Sequence, residues 1–193
     1  MKKILLLLLI ILSNILNTTY ATEPLRLNGS VQYTPSTAKK LAFDGLDLKI
    51  DKKQLTDYLY DENNKENRAA IKTNQQIEGR SIMSFNAVKG VVRGYAITYD
   101  NNPQYTYYYS TSGYLICVDI NNQLNSTEFP FTIGKYNPLT GNLISVGFYV
   151  SETEQYVYSK NGKLKAHWID KIGYNEKGKP IAKREYTDTF PID

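Results

Sequence analysis

Beyond residue 80, apolar and polar positions alternate along the chain with a period of two. The alternating runs lie at 82–88, 91–99, 104–109 and 114–120, and short segments rich in Gly, Asn and Pro separate them. Successive side chains of a strand point to opposite faces, so this pattern predicts strands joined by tight turns. Parallel neighbours would need crossovers of about a dozen residues or more. The chain is therefore predicted to form an antiparallel β-meander of roughly seven to nine strands, either a strongly twisted sheet or an open barrel.

A short pattern of tyrosine, glycine and leucine recurs four times between residues 105 and 181. Its copies are Tyr109, Gly113 and Leu115; Tyr136, Gly141 and Leu143; Tyr158, Gly162 and Leu164; and Tyr174, Gly178 and Pro180. Glycine adopts φ > 0 without steric cost, so each copy predicts a hairpin turn, and Asn161-Gly162 is the strongest two-residue turn signal. The copies are unevenly spaced, which favours turns within one sheet over a regular tandem array.

Between residues 51 and 73 the apolar period becomes that of a helix. Asp51 with Gln54, and Asn63 with Glu66, have the spacing of a capping box. We therefore predict two short helices, at about 51–60 and 64–73, that cover one face or end of the sheet. The result is a β-dominated α+β fold.

Apolar residues on both sides of Asp44-Gly45 predict a short hairpin over 41–50, because positions 46, 48 and 50 alternate. A short strand is also expected at 31–33.

The first 21 residues have the pattern of a signal peptide. Lys2 and Lys3 precede nine aliphatic residues, and small residues lead to a cleavage position after Ala21. We expect residues 1–21 to be removed and no later segment to span a membrane. Residues 22–193 are then one exported domain: a mixed part at 22–80, the meander at 81–186 and a loose tail at 187–193. Cys117 is the only cysteine, so no internal disulfide forms, which favours a bacterial periplasmic or extracellular location.

Charge and chemistry exclude several function classes. Removal of Lys2 and Lys3 from the 23 basic residues leaves 21 against 19 acidic ones, a balance that does not favour nucleic acid as a partner. The chain has one histidine, His167, and the surroundings of Cys117 are apolar and do not activate a thiol. We identify no catalytic residue, metal site, phosphate loop or cofactor.

The densest aromatic stretch of the sequence lies at residues 104–109. Alternation places Tyr105, Tyr107 and Tyr109 on one face of a strand and Tyr108 on the other. One interpretation is an aromatic platform for sugar rings or a protein partner. The alternative is that one face is core and the other carries ordinary cross-strand aromatic pairs. The same two interpretations apply to Trp168, the only tryptophan.

Two known sequence classes resemble this part of the chain. Tyr136-Asn-Pro-Leu-Thr-Gly141-Asn-Leu143-Ile-Ser-Val146 resembles the tyrosine–aspartate repeat of RHS-type shells, with Asn137 where that family has Asp. Tyr156-Val-Tyr158-Ser-Lys-Asn-Gly162-Lys-Leu164-Lys is similar to the second MORN-type repeat of some bacterial antitoxin-like proteins. Both resemblances cover about residues 105–181. They imply a stack of hairpins used as a scaffold or binding surface, with no catalytic residues.

The function that we expect is a non-enzymatic binding or scaffold module that contacts a protein or a cell-envelope polymer. One alternative is a periplasmic immunity or antitoxin-like inhibitor, and another is a hydrolase with acidic catalytic residues that the sequence does not identify. An open meander leaves edge strands, so we expect a monomer or a dimer formed through 181–186.

Overall fold

The computed structural model describes residues 33–88, 91–123 and 128–184, and ten strands within them form one antiparallel sheet. Each strand pairs with its neighbours in the sequence, and the sheet does not close into a barrel. The strands are β1 Arg80–Val88, β2 Val91–Tyr99, β3 Tyr105–Ser110, β4 Leu115–Asn121, β5 Phe131–Tyr136, β6 Leu143–Tyr149, β7 Glu154–Ser159, β8 Leu164–Ile169, β9 Ile172–Tyr174 and β10 Pro180–Lys183. The predicted meander is confirmed. The structure has one strand more than the largest number predicted, because β9 has only three residues and shows no clear alternation.

The first helix, α1, spans Pro35–Phe43, so the hairpin predicted over 41–50 is wrong. The helix begins at a good N-terminal signal, because the Thr34 hydroxyl accepts a hydrogen bond from the Thr37 amide at 3.1 Å and Pro35 follows it. Ala38 and Ala42, four positions apart, are buried against the sheet. The strand predicted at 31–33 lies largely outside the described residues.

The two predicted helices are present, although the first is of a different type. Residues Lys52–Tyr58 form a 3-10 helix, in which the Asp51 carboxylate accepts from the Lys53 amide at 3.0 Å. The second, α2, spans Asn64–Thr73 and ends at Asn74 in the left-handed conformation. The described residues therefore contain three short helices, one more than the largest number predicted.

All three helices lie on one side of the sheet, which we call the covered face. α1 contacts β6 and β7, and α2 contacts β1. One core cluster under α1 joins β5 to β8, and a second joins Leu55 of the 3-10 helix to β2, β3 and β4. Tyrosines supply the largest fully buried side chains: Tyr95, Tyr107, Tyr109, Tyr156 and Tyr158. The other side of the sheet, against which no described helix packs, is the open face.

The four sequence repeats form four turns with one hydrogen-bonding pattern. At the first, the Gly113 amide donates to the Ser110 carbonyl and the Ser110 amide donates to the Tyr114 carbonyl, both at 2.9 Å. The turns at Gly162 and Gly178 repeat these two bonds, and the turn at Gly141 is one residue longer. All four glycines have positive φ, between 67° and 86°. The turn at Asn161-Gly162 is thus longer than the two-residue turn predicted, because Gly162 but not Asn161 has positive φ.

A polar residue directly after each repeat tyrosine also stabilises its turn. Side-chain oxygens of Ser110, Ser159 and Asn175 accept hydrogen bonds from the amide that follows the turn glycine, at 3.1, 3.2 and 3.0 Å. These side chains satisfy a backbone donor that the reversal of the chain leaves without a ladder partner.

The repeat turns all lie at one end of the sheet, which we call the glycine-turn end, because each repeat contains two strands. Residues 46–61 run across this end and bond to the turns. The Ile50 amide donates to the Gly141 carbonyl at 2.9 Å, and the Asp61 amide donates to the Gly113 carbonyl at 2.8 Å. The side chain of Lys39 lies against Gly162. The N-terminal segment therefore contacts the meander at three of the four repeat turns, those at Gly113, Gly141 and Gly162.

Candidate functional site

The sheet separates the five predicted partner-binding residues onto its two faces. Tyr105, Tyr107 and Tyr109 lie on the covered face, where Tyr107 and Tyr109 are only 1% exposed and Tyr105 is half-buried. The core interpretation therefore applies to Tyr107 and Tyr109. Tyr108 and Trp168 lie on the open face, where both are half-buried.

Several tyrosines of the covered face donate a hydrogen bond from the ring hydroxyl to the N-terminal segment that crosses over the sheet. Tyr156 donates to the Tyr33 carbonyl and Tyr158 to the Pro35 carbonyl, both at 2.7 Å. Tyr136 donates to the Asp47 carbonyl at 2.8 Å. A phenylalanine would fill the same space without satisfying these backbone acceptors. These three tyrosines thus help to attach the N-terminal segment to the sheet.

On the open face, four side chains from β3, β4 and β5 form a compact charged cluster. Asp119 and Lys135 are direct cross-strand neighbours, and the Lys135 Nζ lies 2.6 Å from Asp119 Oδ1. The same Nζ is 4.1 Å from the centre of the Tyr108 ring and 3.6 Å from Cys117 Sγ. Burial, and then the charge of Asp119, raises the pKa of Tyr108. Burial also raises the pKa of the Cys117 thiol, which Lys135 offsets only in part, so this cysteine is not an activated nucleophile.

A second set of side chains continues across the open face from β5 to β9. These cross-strand neighbours, which we call the aromatic row, are Phe131, Tyr149, Gln155, Trp168 and Gly173. The rings of Phe131 and Tyr149 are stacked, with centroids 4.8 Å apart and planes 9° apart. Four strand-to-strand steps of about 4.8 Å give the row a length of about 19 Å.

The tryptophan of the aromatic row lies between a glycine and a cation. A side chain at Gly173 would meet the Trp168 ring at 3.2 Å, so the ring lies directly over that glycine. The Arg184 guanidinium lies 4.9 Å from the ring, and Arg184 also donates to the Gln155 side chain at 3.3 Å. Arginine and glutamine thus place polar groups beside the rings.

The single histidine lies on the opposite side of the sheet from the single cysteine. His167 faces the helices, where its Nε2 is 2.9 Å from Glu154 Oε1 and its ring stacks on Tyr156 with centroids 4.0 Å apart. The structure therefore does not bring His167 and Cys117 together. Glu154 is largely buried because it begins β7 on the covered face.

A cleft of about 310 Å³ lies on the covered side, where the 3-10 helix connects to α2. Its walls include Asp57, Asp61, Glu62 and Tyr99. Asp61 is 3% exposed and accepts hydrogen bonds from Tyr95 and from the Asn67 side chain, at 2.5 and 2.7 Å. The buried Asp61 carboxylate of this cleft therefore has its hydrogen-bond donors within the protein. No local sequence signal predicted this arrangement.

The described ranges contain neither a group of metal ligands nor a helix that could span a membrane. No three His, Cys, Asp or Glu residues there are grouped so that they could hold a metal ion. The described helices also lack the length and apolar character that a membrane span requires.

The resemblance of residues 105–181 to RHS-type and MORN-type repeats stays a prediction, because comparison of the chain with protein-family models, curated proteins and solved structures found no match.

Proposed function

We propose that this protein is a non-enzymatic exported binding module that holds an extended polymer of the cell envelope on the open face of its sheet. The observation that carries the proposal is the aromatic row, which crosses five strands on the face against which no described helix packs. The charged cluster of Tyr108, Asp119 and Lys135 lies on the same face.

The chemistry of the open face supports an extended, polar ligand. Half-buried aromatic rings offer large contact areas at low cost in conformational entropy. Gln155, Lys135 and Arg184 add hydrogen-bond donors beside these rings, and Gln155 adds an acceptor. A row of about 19 Å is long enough to contact several units of a polymer rather than one small molecule. Sugar rings, which have apolar faces and polar rims, match this combination.

Sedimentation with insoluble polymers tests the proposal. Residues 22–193 would be mixed with purified peptidoglycan and with isolated envelope polysaccharides, and the bound fraction measured. The double variant Tyr149→Ser with Trp168→Ser should bind at least about tenfold more weakly, since stacking contributes about 1 kcal/mol per ring. The matched control, Tyr60→Ser with Tyr114→Ser, removes two exposed tyrosines from the glycine-turn end and should bind like wild type.

Each variant needs a urea unfolding curve, so that lost binding is not confused with lost folding. Equal binding of wild type and the open-face variant would refute the open face as the binding surface. Binding to a purified protein partner but to no polymer would instead favour the inhibitor alternative.

A further inference from the structure

Exposed apolar side chains are concentrated at the glycine-turn end. Ten large hydrophobic residues are exposed in the described part of the chain, and seven of them lie at this end. They are Leu48, Tyr60, Tyr114, Ile116, Leu139, Ile144 and Ile181. Exposed apolar residues scattered over a surface are ordinary, but their concentration at one end marks an interaction site.

Three of these residues occupy the same position in three of the four repeat hairpins. Each hairpin pairs its repeat tyrosine with the residue two positions after the glycine, and one extra residue then forms a β-bulge. The extra residues are Ile116, Ile144, Lys165 and Ile181. A bulge residue has no cross-strand partner, so the fold does not require an apolar side chain there. The three isoleucines are nevertheless 42–52% exposed.

The neighbouring turns at the same end are strongly basic. The turns at Gly162 and Gly178, with the third bulge, contain five lysines and one acidic residue, Glu176. The lysines are Lys160, Lys163, Lys165, Lys177 and Lys179, all of them exposed. The glycine-turn end therefore combines exposed apolar side chains, most of them around Gly113 and Gly141, with cationic turns at Gly162 and Gly178.

We propose that the glycine-turn end binds the surface of an anionic lipid bilayer. Apolar side chains enter the boundary between headgroups and acyl chains, while the lysines contact lipid phosphates. The charge of the turns is complementary to an anionic leaflet. Equivalent positions of successive hairpins are about 10 Å apart, so the bulge isoleucines are spaced apart from one another, and Tyr60 and Tyr114 form a separate contacting pair. A protein interface usually has a continuous core depleted of charge, and this surface lacks one.

Flotation with lipid vesicles tests the proposal on residues 22–193, which contain every described helix and strand. The chain should bind vesicles containing about 30% phosphatidylglycerol, bind phosphatidylcholine alone weakly, and be released by salt. Leu139→Ser with Ile144→Ser, and separately Lys163→Glu with Lys179→Glu, should each weaken binding about tenfold or more.

Matched controls remove the same chemistry elsewhere on the surface. Met83→Ser with Phe129→Ser removes exposed apolar residues away from this end, and Lys72→Glu with Lys171→Glu reverses distant charges. Both controls should bind within about twofold of wild type. Urea midpoints would establish that every variant is folded. Absence of binding to anionic vesicles, or equal losses in test and control variants, would overturn the proposal. So would a wild-type dimer, seen by sedimentation velocity, that Leu139→Ser with Ile144→Ser makes monomeric.

Discussion

At the scale of single residues, the tyrosine hydroxyl connects the two halves of the chain. The Tyr156 and Tyr158 hydroxyls reach carbonyls 123 positions earlier in the sequence. Alternation predicts which face of a strand a tyrosine occupies, and for Tyr105 to Tyr109 the alternation is as predicted. The partner of its hydroxyl depends on how a distant segment packs, which no local pattern encodes.

Replacing Tyr156 or Tyr158 by Phe is expected to lower the free energy of unfolding by about 1 kcal/mol each, because a partly buried carbonyl loses the hydrogen bond from the phenol. Urea unfolding followed by circular dichroism measures this. Tyr114→Phe is the control, since Tyr114 is 64% exposed, and it should leave the midpoint unchanged. Equal midpoints for all three variants would show that the hydroxyls do not hold the N-terminal segment.

The buried carboxylate of Asp61 is a second site where a single side chain matters. Asp61→Ala leaves the Tyr95 hydroxyl and the Asn67 amide without their acceptor, so we expect a loss of about 3 kcal/mol or more. Asp57→Ala, at an exposed position four residues earlier, should change stability by less than about 0.5 kcal/mol. Thermal melts of the two variants side by side make the comparison, and similar melting temperatures would contradict it.

At the scale of elements, the unit of this sheet is the hairpin. The repeat tyrosines are 27, 22 and 16 residues apart. The first decrease matches the connections at the far end of the sheet, which shorten from 122–130 to 150–153. The second combines the shorter connection at 170–171 with shorter strands and a shorter turn. The uneven spacing therefore conceals three turns of the same geometry and a fourth, at Gly141, that is one residue longer. The polar residue after each tyrosine is a sequence signal that identifies them.

The turn at Gly141 has two separate requirements for glycine, and a matched pair of variants distinguishes them. Gly141 and Gly45 have positive φ of 71° and 67°, so alanine is strained at both. At Gly141 a Cβ would also overlap the Ile50 carbonyl oxygen, whereas nothing lies near Gly45. Gly141→Ala should cost at least about 2 kcal/mol more than Gly45→Ala in urea unfolding. Equal costs would mean that the crossing segment moves aside.

At the scale of the whole molecule, the buried phenols make stability sensitive to alkaline pH. Burial raises the pKa of Tyr136 to about 12, and burial also raises the pKa values of Tyr95, Tyr107 and Tyr109. In the unfolded chain these groups ionise near pH 10. The unfolded state therefore binds fewer protons than the folded state above that pH, and stability falls as pH rises.

We expect the free energy of unfolding to be nearly constant between pH 8 and 9 and to fall steeply from about pH 10 to 12. These four phenols at about 1.4 kcal/mol per pH unit each give a slope of about 5.6 kcal/mol per pH unit, and Tyr108, whose pKa burial also raises, makes it steeper. Urea unfolding at intervals of half a pH unit measures this slope. Tyr136→Phe should make it shallower, and a flat profile up to pH 11 would contradict the expected burial of the phenols.

The sequence predicted the sheet correctly but only two of the three helices that cover it. Alternation predicted the meander, and capping signals located the 3-10 helix and α2. The missed helix α1 begins at Thr34-Pro35, a good start signal whose apolar stripe is only Ala38 and Ala42. The open face was equally unpredictable, because the identity of the covered face depends on long-range packing by residues 33–73. Because residues 33–73 pack on one particular face, Tyr107 is buried there and Trp168 lies on the open face.

The two-strand period of the repeats has a consequence for how such a chain can change in length. Gain or loss of one whole hairpin preserves the direction of every later strand, so all glycine turns stay at the same end. Insertion of a single strand would reverse every later strand and move the following turns away from residues 46–61. Among the described strands β10 is the last in the sheet order, so the described sheet would be extended beside it. Relatives of this protein are therefore expected to differ by whole hairpins.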